Sequence, residues 1–178
     1  MEYVILGLLM LRPNTLYGIR KAFEQGISMF YSSSLGSLQT AIKKLSAKGY
    51  ITSDEGVENG RAKKTLEVTE MGREAFFKWM LAPLDSNNLE VSFLSRLYFM
   101  GLLPSKAQQL EQLKRMKIEI EQEKSNLVEV DQQLSGLKLP LEYQPVFFYQ
   151  RKVLHYGIDT HEYGLKWLQT LIDEIESN

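Results

Sequence analysis

Apolar residues recur at helical spacing along most of the chain, and the breaks between them separate a half built of short segments from a half built of long ones. Residues 3–11, Tyr-Val-Ile-Leu-Gly-Leu-Leu-Met-Leu, are nearly all apolar and predict a short helix at the centre of a small domain. Arg12-Pro13-Asn14-Thr15 stops it, and Asn14 or Thr15 caps a second helix, about 15–25, that buries Leu16, Ile19 and Phe23 before Gly26. A third helix spans residues 34–50, with Leu38, Ala41, Ile42 and Leu45 as its apolar stripe. Gly36, Thr40, Lys43 and Ala47 point the other way, flanked by Ser37 and Lys44 on one side and Gln39 on the other. Lys48-Gly49 ends this helix and Tyr50-Ile51 opens a strand. Residues 54–60, with Asn59-Gly60, read as a turn, and alternation from Ala62 to Val68 marks the return strand. Thr69 caps a fourth helix over 70–82, whose apolar face is Met71, Ala75, Phe76 and Trp79; Pro83 ends it.

The polar stretch Asp85-Ser-Asn-Asn88 is the expected boundary between two domains, 1–84 and 89–178. Beyond it the pattern is helical alone. One helix covers 89–101, and a second, about 105–135, repeats Leu113, Ile120, Leu127 and Leu134 every seventh residue. The last helix, about 144–176, carries Leu154, His161 and Leu168 in one heptad series, accompanied by Ile158, Leu165 and Ile172. Tyr149, Tyr156 and Tyr163 form a further seven-residue repeat. Leu113, Ile120, Leu127, Leu134, Leu154, Ile158, His161, Leu165, Leu168 and Ile172 are the residues expected at a homodimer interface, and an intramolecular antiparallel hairpin is the alternative use of the same stripes. The fold class that follows is mainly α with a small β-hairpin.

Composition narrows the chemistry. With no cysteine in 178 residues, disulfides, thiolate catalysis and cysteine-ligated zinc are excluded, and a cytoplasmic setting is expected. The first apolar run is too short to span a bilayer, so no membrane partner is expected. The two histidines, His155 and His161, stand six residues apart on one helix, outside the spacing that lets two ligands share a metal. There is no paired nucleophile and base and no glycine-rich phosphate loop. No catalytic residue, metal or cofactor is expected, and His161 in its apolar stripe reads as a satisfied interfacial residue, with a pH-sensitive contact as the sharper alternative.

The net charge of −1 hides an asymmetry: residues 1–70 hold nine Lys or Arg against seven Asp or Glu, and the remainder twelve against fifteen. Ser32, Ser34, Ser37, Gln39, Thr40, Lys43 and Lys44 on or before the third helix, with Arg61, Lys63 and Lys64 on the hairpin, suit contact with double-stranded DNA. By itself the third helix reads first as a solvated surface helix of a globular domain, and DNA contact comes second. Its place, after two short helices and before a basic hairpin, gives the order of a winged helix-turn-helix. Asp54, Glu55 and Glu58 oppose deep entry of the hairpin into a minor groove.

These segments resemble the PadR family of bacterial transcriptional regulators. The first part of the pattern is Phe30-Tyr31, Ser34, Gly36, Leu38, Ile42, Leu45, Gly49 and Ile51; the second is Arg61, Lys63, Lys64, Val68-Thr69 and Gly72. The C-terminal half, with Gly157-Ile158 and Trp167-Leu168, looks like the longer, AphA-like subclass. Gln39 and Thr40 stand where the family commonly has Tyr and often Pro, and Leu66 where the wing commonly ends in Tyr. The resemblance implies a sequence-specific regulator, usually a repressor, binding a palindromic operator as a homodimer through an N-terminal winged helix-turn-helix held by C-terminal helices. It also implies release by a small hydrophobic or phenolic effector, for which Trp79, Phe93 and Tyr98 are the candidate pocket. A winged-helix module that binds protein and not DNA is the competing reading.

Overall fold

The computed structural model describes every residue except 33, 59, 60 and 178, and gives the backbone alone at 57, 58, 61 and 62. In order, the elements are α1 (Glu2–Leu11), β1 (Asn14–Thr15), α2 (Leu16–Gln25), α3 (Leu35–Ala47), β2 (Ile51–Glu58), β3 (Arg61–Val68), α4 (Glu70–Leu81), α5 (Leu89–Tyr98), α6 (Lys106–Ser135) and α7 (Gln144–Ser177). The chain divides into two compact units, one of residues 1–82 and 90–104, the other of 83–89 and 105–178. It therefore crosses between units more often than the single polar break at 85–88 anticipates.

In the first unit, α1 is the buried hub: Val4, Ile5, Leu6, Leu8 and Leu9 are each at most 6% exposed, and α3, α4 and β3 pack on it. Its interior Gly7 has a packing reason. A Cβ there would fall 2.7 Å from the ring atoms of Phe99, the residue after α5, so the ring lies on the bare helix backbone. Phe93, Phe99, Met100 and Leu103 are buried with this core, which is why residues 90–104 belong to the first unit although sequence reads them as the first helix of the second.

The sheet has three antiparallel strands in the order β1-β3-β2. The hairpin runs in register from Ile51↔Val68 to Glu58↔Arg61, so β2 continues through residues assigned from sequence to the turn; Asn59-Gly60 lies outside the described residues. The two-residue β1 has no periodicity to announce it. It pairs Asn14 with Leu66 and Thr15 with Thr65.

Helix starts follow side-chain capping. Thr15 accepts from Gly18 N at 3.1 Å and Thr69 from Gly72 N at 3.1 Å. Gly49, at φ 70°, takes the left-handed turn after α3, and its carbonyl accepts from Thr69 Oγ1 at 2.7 Å. On α4 the buried residues are Gly72, Phe76 and Met80, whereas Met71, expected inside, is 59% exposed. The cause is the close approach of α4 to the start of β2: a Cβ on Gly72 would lie 2.1 Å from Tyr50 O. Gly72→Ala is expected to cost about 1–3 kcal/mol, read as a lower melting temperature; an unchanged melt would show that the contact yields freely.

The second unit is an antiparallel α6–α7 hairpin. Its rungs are Lys114–Glu176, Lys117–Gln169, Lys124–Glu162 and Arg151–Asp131. Hydrogen bonding from Arg151, then from His155, holds the Asp131 carboxyl below its ordinary 3.8, and Lys124 followed by Lys166 holds Glu162 below 4.5. Lowered carboxylates stabilise the fold above their unfolded values and lose that contribution as pH falls through the still lower folded values. Asp131→Asn should therefore weaken the hairpin above pH 3.8, the difference from the native chain shrinking as pH falls below that value; equal unfolding midpoints at neutral pH would contradict this.

Candidate nucleic-acid interface

The structure places α3 as an exposed helix with a fixed start. Ser34 and Ser37 form a capping box: Ser37 N donates to Ser34 Oγ at 3.2 Å and Ser34 N to Ser37 Oγ at 2.9 Å. The Ser37 hydroxyl also donates to Ser34 O at 2.7 Å, and Thr40 Oγ1 donates to Gly36 O at 2.9 Å. Three hydroxyls expected to meet DNA thus already serve the helix, and their remaining capacity is as acceptors. Leu38, Ala41 and Leu45 are buried beneath, with Ile42 half-buried.

What the outer face offers is longer. Gln39, Lys43 and Lys44 are exposed and, among the described residues, make no side-chain hydrogen bond or ion pair. Ser32, just before the helix, is also exposed. Thr40, Lys44 and Lys48, four residues apart, line with Ser37 a groove of about 620 Å³ beside Glu2 and Tyr3. Lys48 was not singled out from sequence, although its spacing from Thr40 and Lys44 puts it on their line. Its ammonium meets Glu2 at 2.8 Å, and that hydrogen bond holds its pKa above the ordinary value.

The wing is less basic than its sequence suggests. Lys64 pairs across the hairpin with Glu55 at 3.1 Å, as the register Glu55↔Lys64 dictates. Lys63 is exposed on β3, and the Arg61 side chain lies outside the described residues. Leu66, 3% exposed, anchors the strand to the core.

Trp79 and Tyr98 each have their own ring partners. Trp79 is stacked on Tyr3 with ring centroids 5.2 Å apart, and the buried Arg96 guanidinium lies 5.3 Å from its ring. Tyr98 packs on Phe99 and Phe30 at 5.0 and 5.9 Å, and Phe93 is buried. Phe76 and Phe99 bridge the two groups, so a continuous line of rings runs from Trp79 to Tyr98.

The residues expected at a dimer interface line the hairpin within one chain. Leu113, Ile120, Leu165, Leu168 and Ile172 are at most 8% exposed, and Leu127, Leu134, Leu154, Ile158 and His161 are half-buried. The Leu127 methyl lies 3.4 Å from where a Cβ on Gly157 would stand, and His161 Nδ1 donates to Gly157 O at 2.7 Å. The opposite face of α7 is the unexpected one: Val146, Tyr149, Val153, Tyr156 and Tyr163 are 59–74% exposed, and Trp167 is 42% exposed. Their spacing of three and four, with Thr160 filling the gap, is a second heptad stripe.

The chain is similar to known proteins in both of its halves. Residues 5–78 match the transcriptional regulator PadR-like family and residues 92–176 the virulence activator alpha C-terminal family. The negative transcriptional regulator PadR of Bacillus subtilis is 22% identical over 100% of this chain and 98% of its own. The crystal structure of Bacillus subtilis PadR in complex with operator DNA is 21% identical, with 98% of both chains covered and a TM-score of 0.44. A PadR-like regulator from Bacillus cereus is 24% identical, with 98% of this chain and 94% of that one covered and a TM-score of 0.44. Among the described residues no helix is long and apolar enough to cross a membrane. The chain thus carries a PadR-like transcriptional-regulator domain over residues 5–78, followed by a virulence activator alpha C-terminal domain over residues 92–176, and PadR-like proteins are transcriptional regulators and not enzymes.

Proposed function

We propose that this protein is a cytoplasmic repressor that binds a palindromic operator as a homodimer, each protomer laying α3 in the major groove and its wing over the flanking phosphates. The observation that carries the reading is the outer face of α3, where Gln39, Lys43 and Lys44 stand exposed on a helix whose start is capped from within. Gln39 is assigned to a base edge, Lys43, Lys44 and Lys63 to phosphates, and Ser32, Ser34, Ser37 and Thr40 to acceptor or water-bridged contacts at the approach. Repression is the activity named for the Bacillus subtilis relative. A small hydrophobic or phenolic effector releases the complex.

The proposed dimer seam is the outer stripe of α7, because the inner stripe is already used by α6. Residues 1–84 are assigned to operator binding and 89–178 to assembly, with residues 90–104 buttressing the first unit.

Capturing genomic fragments on the purified protein tests the reading. Gln39→Ala should cost about 1–3 kcal/mol at one base pair and relax the preference there, leaving affinity for unrelated DNA nearly unchanged. The Lys64–Glu55 pair and the net charge of −1 favour a second reading, a winged module that docks on a protein. Capture of no promoter fragment at low salt would leave that reading standing alone.

A further inference from the structure

The groove beside α3 has α1 as its other wall: Glu2 and Tyr3 face Ser37, Thr40, Lys44 and Lys48 across it. Among the described residues that line it, Glu2 is the single carboxylate. Glu2 Oε2 accepts from the Lys48 ammonium at 2.8 Å, and the same ammonium stands 5.9 Å from the Tyr50 ring centre, within reach of a cation–π contact. The two partners are not held alike. The Glu2 side chain is 24% exposed and lies in the first turn of α1, where a helix favours an anion. The Lys48 side chain is 51% exposed at the C-cap of α3, and an ion pair so open to water is weak, which leaves the ammonium ready to change partner.

Lys48 stands two helical steps of four residues beyond Thr40 on one line, about 12 Å along the axis. A recognition helix puts its N-terminal residues on base edges, so a side chain that far along it reaches the phosphates at the rim of the groove. A phosphate arriving there meets Lys48 and Glu2 together. We infer that Lys48 passes from Glu2 to a DNA phosphate on binding, and that Glu2 is a built-in counter-ion that weakens binding to every duplex alike. The exchange is visible in its ion balance. Lys48 releases a cation from the DNA, but the uncovered Glu2 takes one up from solution, so the pair adds nothing to the salt dependence. Because phosphate contacts carry no sequence information, Glu2 lowers affinity for unrelated DNA and leaves base discrimination to Gln39. The inference rests on the DNA-binding reading above and adds to it a restraint placed outside both α3 and the wing.

Fluorescence anisotropy of the full chain on a duplex of random sequence, over a series of salt concentrations, tests the exchange through a double-mutant cycle. Glu2→Gln should tighten binding by about tenfold per protomer at about 0.1 M salt and steepen the slope of log affinity against log salt by about 0.9 per protomer. Lys48→Ala alone should leave the slope near that of the native chain, and added to Glu2→Gln it should abolish both gains. Lys48→Arg added to Glu2→Gln should keep them, since a cation remains at the position. Glu2→Gln with native affinity and slope, or gains that survive the loss of Lys48, would overturn the exchange. Lys43→Ala with Lys44→Ala, measured alongside, separates this failure from that of the DNA-binding reading. If only the exchange is wrong, that variant still flattens the slope; if α3 does not lie on DNA, neither it nor Glu2→Gln changes the slope, and both readings fall.

Discussion

Val153→Glu combined with Tyr156→Glu is expected to yield a monomer of 20.6 kDa with operator affinity lowered by about a hundredfold or more. The two side chains are 73% and 74% exposed in the isolated chain and sit mid-stripe on the outer face of α7. In the proposed dimer each meets its symmetry mate or a neighbour, so the double substitution brings four carboxylates into one apolar seam. Folding of the chain should be spared, since α6 packs on the opposite face. The DNA effect follows from linkage: a dimer binds its second half-site intramolecularly, and dissociation removes that effective concentration. Sedimentation equilibrium gives the mass and fluorescence anisotropy the affinity. A variant that remains dimeric would move the interface elsewhere; a monomer with undiminished affinity would disconnect assembly from DNA binding.

Lys43→Ala with Lys44→Ala is expected to weaken binding to specific and random DNA alike, and to reduce the slope of log affinity against log salt by about 1.8 per protomer if each ammonium meets a phosphate. Neither lysine has an intramolecular partner among the described residues, so removing them exposes no opposite charge and changes little in the fold. Lys64→Ala is different in kind. It leaves Glu55 without its cross-strand cation, so a loss of affinity there mixes a lost contact with new repulsion. An unchanged salt slope in the double variant would remove α3 from the phosphate backbone.

Much of the first unit is legible in sequence because its signals are local. Thr15, Ser34 and Thr69 announce helix starts through their own hydroxyls, and the stripe Leu38, Ala41 and Leu45 is a matter of period alone. What escapes is decided by partners distant in the chain. Met71 faces outward because Gly72 must admit Tyr50 O, and residues 90–104 join the first unit because Phe99 finds the bare backbone of Gly7. The heptads of α6 and α7 are real, yet periodicity marks only that a stripe is buried. Whether another part of the chain or a second copy buries it depends on which stripe the hairpin uses first. In the candidate interface, Gln39, Lys43 and Lys44 are where the period puts them, whereas the neutralisation of Lys64 required the cross-strand register.

Thr15 is at once a residue of β1 and the N-cap of α2, while the neighbouring Asn14 Oδ1 accepts from Thr15 N at 2.9 Å. β1 pairs with β3 at Thr65 and Leu66, leaving Lys63 and Lys64 on a two-stranded arm beyond it. Mechanically this is a cantilever clamped at its root. Its pitch is set at the first turn of α2, so a rotation of that helix by a few degrees would be amplified along the arm, and the helix-turn-helix and its wing would tilt on the DNA as a single lever.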